Sequence, residues 1–326
     1  MKKLGYDINL GYDIIGDVHG CAFTLVKLLE KLGYRDFNGV YQHPSRRALF
    51  VGDILDRGPH IREAITLVKA MVDAGMAECV MGNHEYNALG YSLWLPSQQR
   101  FLRDHTPRNQ RLINATLEQY KKHPHEWEQV LEWIGQRPLF LNLPQCRVVH
   151  ACWDSDLICT YEANYGGNQV SREFLIESGE ESSFAYLFMD RLTRGTDITL
   201  PPGIEVVGRD GFSRKQFRTK FWSCEQQTYA DVVFQPDPLP TYLMDTPLSK
   251  AERKRLLHYS EQELPVFVGH YWLTGLPAPL TPNVACLDYS AVKYGRLVAY
   301  RFDGEAVLSA DKFVSVVVDM KSDVGH

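Results

Sequence analysis

Short apolar runs alternate with amphipathic stretches over the first ninety residues of the chain. The run YDII at 12–15 precedes a stretch at 22–32 whose apolar residues recur every third or fourth position. The run ALFV at 48–51 is followed by a similar stripe at 61–74, and AECV at 77–80 begins a third unit. This periodicity predicts a strand, a loop and a helix in turn. Alternating strands and helices predict a parallel sheet whose loops gather at one edge.

The rest of the chain has weaker patterns, which we interpret as insertions into one domain. A polar, helical segment around 97–137 predicts a helical insertion, and the segment 155–264 predicts a cap or lid. The end is β-rich, and RLVAYRFDGEAVLS predicts a hairpin that turns at its Asp-Gly. No low-complexity linker divides the 326 residues, so we expect a single domain over 1–326.

Composition narrows the class of partner. The net charge is -5, from 35 basic and 40 acidic residues, so no bulk positive field exists to hold nucleic acid or an anionic membrane. The seven cysteines are odd in number and contain no Cys-x-x-Cys pair, which argues against a disulfide framework and a cysteine-based zinc site. No apolar run approaches the length of a membrane span. We therefore expect a cytoplasmic protein without a membrane or nucleic-acid partner.

Six polar residues follow predicted strands and are candidate metal ligands. They are Asp17, His19, Asp53, Asn83, His150 and His270. Taken alone, the Asp and Asn residues could be helix N-caps and the histidines ordinary surface or core residues. Taken together, a mixed Asp, His and Asn set suits Mn, Fe, Zn or Ni rather than Ca or Mg alone. We expect two divalent transition-metal ions, with Mn as the first choice, and Asp53 in the central loop as their bridge.

The motifs GDVHG, GDILDRG, GNHE, a later His and a final GH resemble those of the calcineurin-like metallophosphoesterases. The likeness is to the phosphoprotein phosphatase branch and its bacterial relatives, which include the symmetrical diadenosine tetraphosphatases, and it spans residues 13 to about 300. It implies an α/β fold, a four-layer αββα sandwich of two mixed β-sheets flanked by helices. Trp272 in GHYW, where the nuclease and phosphodiesterase branches usually carry a second His, argues against those branches.

The resemblance also implies how the ligands are shared between the ions. Asp17 and His19 would bind one ion, and Asp53 would bridge. The second ion would be held by the three remaining candidates, Asn83, His150 and His270.

Three further residues resemble the catalytic groups of that family. His84 resembles the general acid that protonates the leaving oxygen, and Asp56 the residue that orients its imidazole. Arg57 resembles the arginine that holds phosphate, since a guanidinium matches two phosphoryl oxygens. A second phosphate-binding arginine is expected from the middle region, where four candidates stay open: Arg194, Arg209, Arg214 and Arg218.

These residues predict a metallophosphatase that hydrolyses a phosphomonoester by direct attack of metal-bound hydroxide. The alternative is a symmetrical bis(5'-nucleosyl)-tetraphosphatase, which hydrolyses a phosphoanhydride. A phosphate-binding or metal-sensing module without turnover is a third hypothesis, but such a module would be expected to lack a ligand or the general acid, and none is missing. The phosphorylated substrate, whether small molecule, nucleotide or phosphoprotein, and the oligomeric state stay open.

Overall fold

The computed structural model describes residues 10–200, 206–207, 213–214, 216–234, 239, 241–293 and 295–318. The strands, numbered in chain order, are β1 (Gly11–Ile15), β2 (Arg35–Phe37), β3 (Val40–Gln42), β4 (Arg46–Phe50), β5 (Ala77–Cys79), β6 (Trp94–Leu95), β7 (Arg100–Phe101), β8 (Phe140–Asn142), β9 (Arg147–Val149), β10 (Asp197–Thr199), β11 (Val206–Val207), β12 (Ser213–Arg214), β13 (Gln216–Arg218), β14 (Val266–Val268), β15 (Val284–Cys286), β16 (Asp288–Tyr289), β17 (Arg296–Phe302) and β18 (Phe313–Val317). The helices are α1 (Ala22–Leu32), α2 (Ile61–Asp73), α3 (Asn83–Ser92), α4 (Pro107–Tyr120), α5 (Pro124–Gly135), α6 (Ser155–Tyr165), α7 (Arg172–Glu177), α8 (Phe184–Arg194), α9 (Tyr229–Val232), α10 (Thr241–Met244) and α11 (Lys250–Arg253).

The first sheet contains the predicted strand, loop and helix units. Strands β1, β4 and β5 pair in parallel, and β17 pairs with β1 in the antiparallel sense. Helix α1 has the predicted bounds, and Gly33 ends it in the left-handed conformation at φ 95°, which glycine adopts without steric cost. Helix α2 ends at Asp73, one residue before the predicted end. The prediction of a parallel arrangement is therefore confirmed for this part of the chain.

The second sheet is also mixed, with the strand order β15-β14-β9-β8. Strands β15, β14 and β9 run parallel, whereas β8 is antiparallel to β9. A buried apolar cluster that includes Ile14 and Leu49 of the first sheet and Val148 and Phe267 of the second joins the two. Helices α1 and α2 bury their apolar stripes in another cluster on the first sheet's outer side. The expected αββα sandwich is confirmed.

The prediction that the last strands form a hairpin with a tight Asp-Gly turn is wrong. Strand β17 pairs antiparallel with β18, but Tyr300 is opposite Phe313. The residues after Asp303 and Gly304 form bends and a short 3-10 helix, Ala310–Lys312, before β18 begins. An Asp-Gly pair permits a tight turn but does not impose one, because strand pairing decides the register.

The insertion around 97–137 contains α4 and α5, as the pattern predicted. Thr106 caps α4 by accepting a hydrogen bond from the Asn109 N–H, and proline begins each helix, a position where its missing N–H costs nothing. The extent of a single domain and the role of 155–264 as a cap remain predictions. Among the described helices, none has the length and apolar character needed to cross a membrane.

One buried ion cluster lies where β1, β4 and β17 meet. Asp13 is fully buried, and its Oδ2 atom lies 3.0 Å from Nε of Arg46. Nε of Arg301 lies 3.3 Å from Oδ1, and Arg46 also donates to Asp303 at 2.6 Å. Burial raises the pKa of Asp13, and the two guanidiniums offset part of that rise.

Candidate metal centre

The candidate ligands converge where the carboxyl ends of strands from both sheets meet. Asp17 follows β1, Asp53 follows β4 and Asn83 follows β5 in the first sheet. His150 and His270 follow β9 and β14 in the second. Because the two sheets pack face to face, one edge of the sandwich receives side chains from both. The fold thus brings together residues that are up to 253 positions apart in sequence, such as Asp17 and His270.

Asp53 lies at the centre of this group. Its Oδ2 atom is 3.3 Å from Nε2 of His150, 3.7 Å from Nε2 of His19 and 3.9 Å from Nε2 of His84. Its other oxygen accepts the backbone N–H of His84 at 2.9 Å. Two sets of side chains therefore share Asp53 and could each hold an ion, one with His19 and His84 and the other with His150 and His270.

The two remaining candidates lie beside those sets. Oδ1 of Asn83 is 3.1 Å from Nε2 of His150. Oδ2 of Asp17 accepts the backbone N–H of His270 at 3.1 Å. All six predicted ligands therefore lie around one small volume. His84, predicted as a catalytic residue and not as a ligand, lies about as close to Asp53 as His19 does.

Unpartnered atoms test whether these residues fit metal ions. Nε2 of His19, Nε2 of His270 and Oδ1 of Asp17 are buried and have no hydrogen-bond partner among the described residues. A buried polar atom without a partner is costly, and native structures rarely leave one unexplained. The other ring nitrogen of His19 lies 2.7 Å from the carbonyl of Leu55, and that of His150 lies 2.7 Å from the carbonyl of Val51. Such bonds turn each Nε2 atom inward, which is the orientation that metal-ligating histidines need.

Backbone strain is concentrated at the same place. Five site residues have left-handed φ angles between 43° and 69°: His19, Asp53, Asp56, Arg57 and His270. Side chains of this kind rarely adopt that region, at a cost of about 1–3 kcal/mol each. Strain of this kind persists where the surrounding structure over-determines it, and it clusters at functional sites.

Two glycines are required by close approach to the carboxylates. A Cβ atom on Gly82 would lie 2.2 Å from Oδ1 of Asp53, and one on Gly269 would lie 2.0 Å from Oδ1 of Asp17. Neither distance is compatible with a larger residue. The glycines of the GNHE and final GH motifs therefore make room for the ligands as well as turning the chain.

The charges of the site favour added cations. Burial, together with the charge of Asp288, raises the pKa of Asp17 well above its ordinary value. Burial lowers the pKa of His19 and of His270 well below the ordinary value, so both imidazoles are neutral and able to bind a metal ion. Burial alone would lower the pKa of His150, but Asp53 raises it to about 9.

The predicted catalytic residues form one hydrogen-bonded chain. Nδ1 of His84 lies 2.5 Å from Oδ2 of Asp56, and Nη2 of Arg57 lies 3.0 Å from Nε2 of His84. A guanidinium can only donate, so Nε2 accepts and the ring proton lies on Nδ1. Thr116 of the insertion donates to the second oxygen of Asp56. The insertion thus fixes the carboxylate that orients His84.

Trp272 forms a wall beside Arg57. The guanidinium carbon of Arg57 lies 4.6 Å from the centroid of the Trp272 ring, and the ammonium of Lys293 lies 3.7 Å from it. Trp272, whose presence argues against the nuclease branch, thus packs against Arg57, the predicted phosphate-holding arginine. An aromatic face attracts and orients a cation.

Among the four candidate arginines of the middle region, Arg218 contacts a predicted ligand directly. Its Nη1 atom donates to the carbonyl of His270 at 2.9 Å. Arg194 donates to Oδ1 of Asn87, one turn along α3 from Asn83, at 2.6 Å. Arg209 lies outside the described residues, and the side chain of Arg214 is not described.

Two buried carboxylates were missed by the sequence reasoning. Glu85 accepts the backbone N–H groups of Asp53, Ile54, Leu55 and Gly82 at 2.8 to 3.2 Å. It therefore ties the loop after β4 to the start of α3. Its signal in the sequence was an acidic residue at the third position of a helix, where a carboxylate can accept the backbone N–H of the residue before the helix.

The second missed carboxylate is Asp288, on β16. One of its oxygens accepts the Ser290 N–H at 2.9 Å, and the other is buried without a partner among the described residues. Its sequence context, CLDYS, offers no pattern that separates a site residue from an ordinary strand residue.

The clustered Asp and His side chains at the strand ends could hold divalent metal ions. Residues 12–200 match the family model for calcineurin-like phosphoesterases. The chain therefore belongs to the calcineurin-like phosphoesterase family, as its motifs predicted.

Two bacterial relatives share sequence with this chain. The asymmetrical bis(5'-nucleosyl)-tetraphosphatase PrpE of Halalkalibacterium halodurans is 39% identical over 153 residues, covering 46% of this chain and 60% of the relative. The protein of the same name from Oceanobacillus iheyensis is 37% identical over 145 residues, covering 43% and 54%. The matched part is thus little more than half of each relative. A solved cold-active protein-tyrosine phosphatase of a psychrophilic Shewanella species is 17% identical, covers 95% of this chain and 80% of its own, and has a TM-score of 0.47.

Proposed function

We propose that this chain hydrolyses a phosphoanhydride of a nucleotide, with two divalent transition-metal ions, Mn first, at the centre around Asp53. The residues proposed to hold the ions are Asp17, His19, Asp53, Asn83, His150 and His270. The observation that carries the reaction is the set of inward-facing, unpartnered ligand atoms on Asp17, His19 and His270. The names of the two tetraphosphatase relatives favour the anhydride over the phosphomonoester that the motifs first suggested.

When bound, the two ions would activate a water molecule for attack on phosphorus and neutralise the charge that develops on the phosphoryl oxygens. The chain's own residues position the phosphate and manage the leaving group. Arg57, stacked on Trp272, is placed to turn its guanidinium fork towards two phosphoryl oxygens. His84, once Nε2 is protonated, would donate that proton to the leaving oxygen while Asp56 stabilises the imidazolium.

A phosphomonoester remains the second candidate substrate, because the same ligands and the same proton donor serve both reactions. The two differ in the leaving group, which is an alkoxide in an alkyl ester and a phosphate oxygen in an anhydride. A phosphate leaves more readily than an alkoxide, so the anhydride reaction depends less on His84.

The test is a substrate panel with the purified chain and added manganese. It contains diadenosine tetraphosphate, p-nitrophenyl phosphate and a phosphopeptide. We expect kcat/KM to be highest on the tetraphosphate, with products that show which anhydride bond breaks. A higher kcat/KM on the phosphopeptide would return the assignment to phosphomonoesters, and saturable metal binding without turnover on any of them would favour a binding module.

A further inference from the structure

A cavity of about 440 Å³ lies beside α3, the helix whose first turn carries Asn83 and His84. Tyr86 and Gly90 line it from α3, three and seven residues beyond Asn83. At 1.5 Å per residue, the cavity therefore begins about 5–10 Å along the helix from the metal centre. None of the six proposed ligands lines it. It is a separate space next to the reaction site, of a size that accommodates small-molecule ligands.

Two arginines face the cavity across one aromatic ring. The guanidinium carbon of Arg103 lies 5.6 Å from the centroid of Tyr86, and that of Arg194 lies 5.3 Å from it. Arg194 is paired with Asp190 at 3.0 Å and donates to Asn87. Arg194 therefore reaches from the cavity to the face of α3 that continues from Asn83.

Arg103 lacks such partners. Within the part of the chain that the structure describes, its guanidinium forms no ion pair and no hydrogen bond. Burial, aided by the like charge of Arg194, lowers the pKa of Arg103 to about 10. Asp190 also lines the cavity and attracts Arg103, but it is already paired with Arg194, and the other two carboxylates there, Asp104 and Glu181, are exposed to solvent. A partly buried cation next to another cation is costly unless an anion joins them.

We propose that this cavity binds an anionic group of the substrate beyond the scissile phosphate, with Arg103 as a specificity-determining residue. The inference rests on the proposed function, because a substrate with a single phosphate has no second anion to place there. The chemical class that fits is a further phosphate of a nucleotide anhydride, since guanidinium groups bind phosphate oxygens in pairs. Arg194 reaches from the cavity to Asn87, which lies one turn along α3 from the proposed ligand Asn83.

The kinetic test compares Arg103→Met and Arg103→Lys with the wild-type chain on diadenosine tetraphosphate and p-nitrophenyl phosphate. For Arg103→Met we expect KM for the tetraphosphate to rise roughly 10- to 100-fold, the range for a lost hydrogen bond to a charged group. Kinetics on p-nitrophenyl phosphate should be unchanged, and lysine should restore part of the loss. Arg108→Met, an exposed residue of α4 that does not line the cavity, is the matched control.

A binding measurement separates this proposal from the proposed function. Calorimetric titration of tripolyphosphate into the full chain, with EDTA present, measures binding without turnover. Without metal ions the carboxylates of the metal centre repel anions, so the binding measured is binding at the cavity. We expect saturable binding in the wild type and in Arg108→Met, and its loss in Arg103→Met. If the chain hydrolyses neither substrate but binds tripolyphosphate in an Arg103-dependent way, the cavity is an anion site and the proposed function is wrong.

Three results would overturn the pocket. The first is equal tripolyphosphate affinity in wild type and Arg103→Met. The second is an equal loss on both substrates. The third is a fall in the melting temperature of Arg103→Met larger than the loss of its contact with the Tyr86 ring explains, because a residue that only stabilises the fold would lower it further.

Discussion

Nδ1 of His84 lies 2.5 Å from Oδ2 of Asp56, while Nε2 of the same ring lies 3.0 Å from a guanidinium nitrogen of Arg57. The carboxylate fixes the ring from one side, and the arginine holds the nitrogen that would face a leaving group. In the proposed mechanism, Arg57 would have to release Nε2 in order to turn to phosphate. Proton donation by His84 and phosphate binding by Arg57 would then share one contact.

His84→Ala should lower kcat on alkyl phosphates by roughly 10² to 10⁴, the scale of general acid catalysis, and less on p-nitrophenyl phosphate. The reason is that a nitrophenolate leaves without a proton. Steady-state kinetics over a leaving-group series, with metal content measured by mass spectrometry, checks this. Metal content should stay near the wild-type level. Equal losses across the series would remove His84 from the proton-donor role, and loss of metal would make it a ligand.

Glu85→Gln should loosen the loop that carries Asp53. The new amide nitrogen cannot accept the N–H groups that one carboxylate oxygen now accepts from Asp53 and Gly82, and each unsatisfied group costs about 1–3 kcal/mol. We expect a lower melting temperature and lower metal occupancy together. Glu78→Gln is the control. Glu78 lies on β5 and pairs with Arg137, so this substitution should lower stability without lowering metal occupancy.

Trp272→Ala should raise KM for phosphorylated substrates, because Arg57 loses the ring on which it stacks. A cation–π contact contributes about 0.5–2 kcal/mol, so the expected factor is about 2 to 30. Trp272→Phe should retain most of the affinity. If both variants keep the wild-type KM, the ring has no part in holding Arg57.

Arg46→Met should destabilise the fold by about 3 kcal/mol, since it takes from the buried Asp13 the nearer of its two arginine partners. Denaturant unfolding measures this. Asp303→Asn, which removes the half-exposed partner of Arg46, should cost under about 1 kcal/mol.

The same variant has a predictable pH dependence. Burial without Arg46 raises the pKa of Asp13 further above its ordinary 3.8, so the folded chain holds a proton that the unfolded chain has lost. Stability must then fall as pH rises from 3.8 to the folded pKa. The deficit against wild type should therefore shrink on acidification. A deficit that is constant with pH would show that Asp13 is not its cause.

The sequence predicted which side chains would lie together where the candidate ligands follow parallel strands. Asp17, Asp53 and Asn83 meet because parallel strands end at one edge, a consequence that needs only the alternation of strands and helices. His150 and His270 belong to a second sheet, and no local pattern places one sheet against the other. They were candidates because each follows a predicted strand, and the buried cluster between the sheets is what brings them to the other ligands.

Other features could not be predicted because they depend on backbone conformation or on long-range packing. The left-handed φ of Asp53 and His270 is imposed by tertiary contacts against local preference. Arg103 lies in the segment predicted as a helical insertion and in no motif, and its place in the cavity appears only when α3 and α8 pack beside it. The Asp-Gly hairpin failed for the same reason, because pairing with β17 set the position of β18.

The most direct test of the dinuclear centre is a crystal structure of the chain grown with manganese, with anomalous scattering used to locate the metal. The account predicts two manganese ions, both bound by Asp53, with the inward atoms of Asp17, His19 and His270 as further ligands. In Asp53→Asn, both manganese sites should be only partly occupied. A single peak, or peaks elsewhere with those atoms still unpartnered, would contradict it.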